Sequence, residues 1–259
     1  MKRSVLWSAA LLLLLSVAVP AGAAGWYLKG TLGFEWSLAA DYEDADPAAA
    51  NPPAFFGVGP GSDGRRIGAY GDFGRFPLLE AAIGRQLLPW LRSEVAVAYR
   101  PDLRYRGEAN FRGVPGGQPV SASADSLSGM VNLFLDIAGL TGADLGRFQP
   151  YIGGGLGLAR NRQDEMTYLF PGNPGAHKVT VTPAGAGTDL TFMGSIGTGI
   201  VMSRRILLDV SYRYTDLGSV RTEPGKMFLD TVPAGIDIAE TRARLRTHGA
   251  FAGVRYLFE

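Results

Sequence analysis

Ten charged residues sit at alternating positions inside otherwise apolar segments of this 259-residue chain, and their types suggest its chemistry. Lys29, Arg92, Arg100, Arg213 and Arg255 are the cations; Glu35, Glu80, Glu94, Asp136 and Asp209 are the anions. The signs balance at five each. Confined to one buried face, such groups must pair, because an uncompensated buried ion costs several kcal/mol. Asn132 shares that face and adds an amide. The set therefore predicts a polar network of ion pairs and hydrogen bonds that fills an interior. A narrow or gated ion path through the same network is the alternative.

Covalent chemistry finds less support. Hydrolysis of an ester by a serine needs a neighbouring base held by a third group. Only two histidines exist: His177 in GAHKVT, with no serine near it, and His248 in RTHGAF. Neither shows a His-x-Ser spacing on one strand face, so no catalytic residue is assigned and no enzyme is expected. The absence of cysteine excludes disulfides, thiol nucleophiles and thiolate metal sites. Asp41, Glu43, Asp44 and Asp46 have the oxygen chemistry calcium takes, but a solvated acidic loop is the simpler reading. No metal and no cofactor are expected.

The elements that must position these charges begin after a leader. Lys2 and Arg3 precede an apolar run, Val5 to Val19, with leucine at every position from 11 to 15. Pro20 and Ala21-Gly22-Ala23 then supply a helix breaker and a small-residue cleavage site. The run falls short of the ~20 residues of a spanning helix. Residues 1–23 are thus expected to be a cleaved signal peptide, and 24–259 one β domain. A formal charge of +1 leaves no basic footprint for nucleic acid.

Period-two alternation marks eight strands. They are Trp26 to Ser37, Phe76 to Gln86, Leu91 to Leu103, Ala122 to Ile137, Phe148 to Arg162, Thr188 to Met202, Ile206 to Leu217 and Thr241 to Phe258. Met130 and Phe134 are placed on the inner face of the fourth. Links near Leu87 to Trp90 and Ser203 to Arg205 are short, whereas 38–75, 163–187 and 218–240 are long and rich in Gly, Pro and Asp. Short turns at one end and long loops at the other are the layout of an outer-membrane barrel. Lipid offers no hydrogen bonds, so the sheet must close. The fold expected is an all-β, eight-stranded antiparallel transmembrane barrel, an up-and-down meander with extracellular loops and periplasmic turns. Trp26, Trp36, Tyr99, Tyr212, Tyr214, Tyr256 and Phe258 are candidates for its interfacial girdles. Phe55, Phe56, Met166, Tyr168, Leu169 and Phe170 are apolar loop residues that either mark a partner site or pack on the barrel rim.

PYIGGGLGLA (150–159), DVSYRYTDLG (209–218) and HGAFAGVRYLF (248–258) resemble the small outer-membrane barrels of the opacity-protein and OmpA-like group. The resemblance implies location in a Gram-negative outer membrane, periplasmic termini and variable surface loops. It implies contact with outer-membrane lipid and lipopolysaccharide, and a role in envelope structure with a host or surface ligand met through the loops. It also implies a C-terminal strand, here ending in Tyr256 and Phe258, read by the barrel-assembly machinery; Glu259 after Phe258 departs from the usual aromatic end. No cell-wall-binding domain is expected after the barrel. A small porin or narrow solute channel, and a lipid A-modifying enzyme, are the alternatives within such barrels. An apolar-solute channel would need an apolar inner funnel, and an interior of mostly charged or small residues is expected instead.

Overall fold

The computed structural model of the chain describes residues 25–172, 179–229 and 232–258. The expected signal peptide and His177 lie outside the described residues. In chain order the elements are β1 (Trp26–Ser37), β2 (Glu43–Asp44), β3 (Ala69–Asp72), β4 (Arg75–Leu88), β5 (Leu91–Ala109), β6 (Pro119–Asp136), α1 (Ile137–Thr141), β7 (Phe148–Gln163), β8 (Met166–Leu169), β9 (Val179–Thr182), β10 (Gly185–Val201), β11 (Ile206–Arg221), β12 (Gly225–Leu229), β13 (Val232–Ile238) and β14 (Thr241–Leu257).

Eight of these form a closed antiparallel ring: β1, β4, β5, β6, β7, β10, β11 and β14, each hydrogen-bonded to the next. The ring closes where Tyr27 faces Leu257 and Ser37 faces Thr247, so β14 returns to β1. Closure leaves no unpaired edge for lipid to meet. The predicted fold is the observed one.

The outward face of the lower ring is apolar on every strand. Leu32, Leu79, Val97, Val131, Leu156, Leu190, Val210 and Val254 all stand exposed, with Leu156 at 71% and Leu190 at 80%. In water these would destabilise the fold; facing acyl chains, they are where burial in lipid favours them. About five outward residues per strand make up the belt, the length a tilted strand needs to cross the hydrocarbon.

Above the belt the strands run further than the alternation predicted. β5 extends to Ala109 rather than Leu103, and β11 to Arg221 rather than Leu217. A bulge explains each early stop. In β5 the register shifts between Arg100 and Leu103, with Asp102 at φ 61°, and in β11 between Asp216 and Ser219. An extra residue breaks the period of two, which is the signal a sequence scan follows. Gly218, at φ 78°, turns the second bulge where a Cβ would strike the Asp189 side chain.

The long links are not structureless. β3 continues β4 upward and pairs with β5; β8 pairs with β6 and β9; β2 pairs with β14; β12 and β13 form a hairpin. Inside this extracellular extension lies an apolar core. Tyr42, Phe56, Phe73, Leu103, Tyr105, Phe111, Met166, Tyr168, Phe170, Leu217, Leu245 and their neighbours are buried there. Of the loop residues with a possible surface role, Phe56, Met166, Tyr168 and Phe170 are therefore core, and Phe55 stacks on Phe111 at 5.6 Å. Leu169 remains exposed. Buried charges are concentrated in the membrane-spanning part of the interior, and the part above it is apolar.

Candidate functional site

The interior at membrane level is built from inward positions of all eight ring strands. Starting at the periplasmic end, Arg92 Nε donates to Asp136 at 3.0 Å, and Gln86 Nε2 reaches the same carboxylate at 3.1 Å. Arg255 makes two bonds to Asp209, at 2.9 and 2.7 Å. Lys29 Nζ reaches both oxygens of Glu94, at 2.7 and 2.8 Å, and Tyr27 donates its hydroxyl to Glu94 at 3.1 Å. Arg213 pairs with Glu80 at 2.6 Å. Arg100 pairs with Glu35 and also donates to Ser128 Oγ at 2.9 Å, while Thr247 donates to Glu35 at 3.0 Å. The ten alternating charges thus meet as five ion pairs, each with one cation and one anion.

The geometry is possible because aromatic rings and glycines interlock. Four inward rings each face a glycine directly across the ladder: Tyr27 opposite Gly84, Phe251 opposite Gly33, Phe134 opposite Gly153, and Tyr151 opposite Gly197. A Cβ at Gly84, Gly33 or Gly153 would lie 2.2 to 2.3 Å from its ring. The rings pack close against bare backbone, and the cations stand over them. Arg92 stands 4.5 Å from Phe134 and 4.3 Å from Tyr151, Arg213 is 4.7 Å from Phe251, and Arg255 is 5.2 Å from Tyr27. Such contacts offset part of the cost of removing guanidinium from water. Alternation marked the ten charges as one inward set without saying which pairs with which; it gave no mark of the interlock, because a glycine gives no sign of which face it serves.

A residual cavity of about 10 Å³ lies between the Glu35–Arg100 and Glu80–Arg213 pairs, lined also by Asn132 and Met193. Glu80 Oε1, Arg213 Nε, Asn132 Oδ1 and Ser195 Oγ are buried without partners in this part of the interior. The volume suits about one water molecule. A pair that alternation did not mark, Arg221 with Asp189 at 2.9 Å, ties β11 to β10 beyond the bulge.

The other singled-out residues do not converge. His248 stands on the outer wall, its Nδ1 2.8 Å from the Tyr212 hydroxyl and its ring 5.8 Å from Trp36. Among the acidic loop residues Asp41, Glu43 and Asp46 are exposed, whereas Asp44 is fully buried and accepts from the backbone N–H groups of Phe55 and Phe56, the latter at 2.8 Å. Burial holds the Asp44 carboxyl above the usual carboxylate range despite those bonds. No cluster of three metal-binding groups occurs among the described residues. Tyr256 and Phe258 pack edge to face, 5.4 Å apart, at the periplasmic end, where Phe258 N bonds Trp26 O at 2.9 Å.

Residues 7–258 match the family described as the outer membrane protein beta-barrel domain. The chain belongs to that outer-membrane β-barrel family. Its place is accordingly the Gram-negative outer membrane. Among solved structures it is similar to the outer membrane protein OprG from Pseudomonas aeruginosa, at 13% identity over 92% of this chain and 97% of that one, TM-score 0.51. It is also similar to Neisserial surface protein A, at 18% identity over 92% and 100%, TM-score 0.44. A third is the outer membrane protease OmpT from Escherichia coli, at 8% identity over 93% and 99%, TM-score 0.49. No curated protein sequence matches. At these identities the likeness to OprG supports the barrel fold alone.

Proposed function

We propose that this outer-membrane barrel is a charge-sealed scaffold of the opacity and OmpA-like type, without enzymatic activity, that displays a structured extracellular cap. One observation carries the reading: the ten lumen charges are matched pair by pair, and the cavity between the Glu35–Arg100 and Glu80–Arg213 pairs has room for about one water. An open pore needs solvated charges along a continuous path, whereas bidentate pairs such as Arg255–Asp209 span from strand to strand. In this reading the cap meets surface or host ligands, the wall meets lipid and lipopolysaccharide, and Tyr256 with Phe258 serves as the assembly signal. His248, engaged with Tyr212 on the lipid-facing wall, is a girdle residue rather than a base. Single-channel recording in planar bilayers tests the seal. No conductance, or only brief small events, is expected; a stable large conductance overturns the reading in favour of a solute channel.

A further inference from the structure

One stretch of the outer wall differs from the rest of the girdle. Across four neighbouring strands, Arg75 of β4 faces Trp36 of β1, Trp36 faces His248 of β14, and His248 faces Tyr214 of β11. All four residues are on the outward face, at the upper edge of the apolar belt. Arg246 lies two positions above His248 on the same face. We propose that this row, in the reading above that the wall meets lipid and lipopolysaccharide and resting on it, is a docking site for the phosphate of an outer-leaflet lipid, held between Arg75 and Arg246 over the Trp36–His248 shelf.

The two cations are free for such a ligand. Arg75 lies over the rings of Phe34, at 4.1 Å, and Trp36, at 5.5 Å, and makes no ion pair among the described residues. Stacking occupies the face of a guanidinium and leaves its N–H edge available to an oxyanion. Arg246 also has no ion-pair partner among the described residues, and its Nε is buried without a hydrogen bond. Its cross-strand neighbour Asp216 is taken by Arg244, at 3.0 and 2.8 Å. Asp41 in the loop above feels the charge of Arg246 but does not pair with it. When the Tyr212 hydroxyl donates to His248 Nδ1, the ring proton resides on Nε2, which then offers a third donor.

Depth selects the source of the phosphate. Phe34 and Leu32 stand exposed just below the row, where acyl chains lie, and exposed Arg242 and Arg244 continue above it. A phosphate attached to acyl chains fits that boundary; in this leaflet of a Gram-negative outer membrane it is the phosphate of lipid A. Elsewhere at the same level the charge is neutralised or lacks a shelf. Arg104 is paired with Asp102 at 3.1 Å, and Arg160 and Arg162 rise above Leu158 with no cation–ring contact among the described residues.

The test is retention of lipid A by the full-length barrel in detergent, read by native mass spectrometry, with phosphorylated and phosphate-free lipid A compared. The doubly substituted Arg75→Gln/Arg246→Gln protein is expected to lose about tenfold or more in affinity for the phosphorylated lipid, and nothing for the phosphate-free one. Heat-modifiable migration checks that it is folded. If it is not, Arg75→Gln alone, at an exposed side chain, is expected to give a several-fold loss. Unchanged retention in a folded variant overturns the proposal. So does equal retention of phosphate-free lipid by the parent protein, or an equal loss in Arg160→Gln/Arg162→Gln, which would mean undirected attraction to basic charge.

Discussion

The lower and upper halves of this barrel are built inside out with respect to each other. At membrane level β14 points Arg255, Gly253, Phe251 and Thr247 inward and Tyr256, Val254 and Ala252 outward. Directly before Thr247 in the same strand, without a break in parity, Leu245 and Ala243 point inward while Arg246, Arg244 and Arg242 point outward. β6 shows the same inversion: Asn132 and Ser128 inside against Val131 and Leu127 outside, then Ala124, Ala122 and Val120 inside against Asp125, Ser123 and Ser121 outside. Neither strand breaks its own alternation at the crossing, although the neighbouring β11 and β5 each carry a bulge there. What changes is the medium outside, from hydrocarbon to water, and each half turns its apolar residues toward whatever excludes water. In the upper half that is the interior; in the lower half it is the lipid.

This contrast can be broken most severely from the lower half. Removing one member of a lumen pair, as in Arg255→Ala, leaves Asp209 buried without its cation and is expected to cost about 3–5 kcal/mol. Unfolding in detergent, followed by loss of the heat-resistant gel form, measures it. Replacing Arg213 and Glu80 together with methionine should be far milder than either single change, because no charge is then stranded.

The upper half should fail separately. Phe56→Ala empties a fully buried site in the cap and is expected to cost about 3–5 kcal/mol there. Limited proteolysis should cut the extracellular segments readily while the membrane ring keeps its heat-resistant migration. Simultaneous loss of both would show that the halves are one cooperative unit. A smaller effect is expected at the interlock. Gly153→Val drives a side chain into the Phe134 ring, for about 1–3 kcal/mol. Phe134→Ala in the same chain should relieve part of that cost, giving a measurable coupling.

The smallest effect concerns pH. Asp44 is an acid whose folded pKa lies above its unfolded value, so its ionisation opposes the folded cap. The penalty is present above the folded pKa and is relieved as pH falls through it toward the unfolded value. Protection of the cap from protease should therefore rise on acidification through that window. In Asp44→Asn this rise should be flattened.

The chain alone determined the ring: a period of two with apolar residues on one face dictates strands that bury or expose whole faces together, and the ten alternating charges followed from it. Their balance required pairing. It could not say who pairs with whom, because Lys29 and Glu94 lie 65 residues apart and meet only when the ring closes. The bulges at Asp102 and Gly218 hid the upper strands by breaking the period, and Phe56, Tyr168 and Phe170 read equally as surface or rim until β3, β8 and β9 enclosed them. The Gly–aromatic interlocks, the apolar core of the cap and the Arg75–Trp36–His248 row are properties of register. Register is a relation between distant segments, and only the closed barrel supplies it.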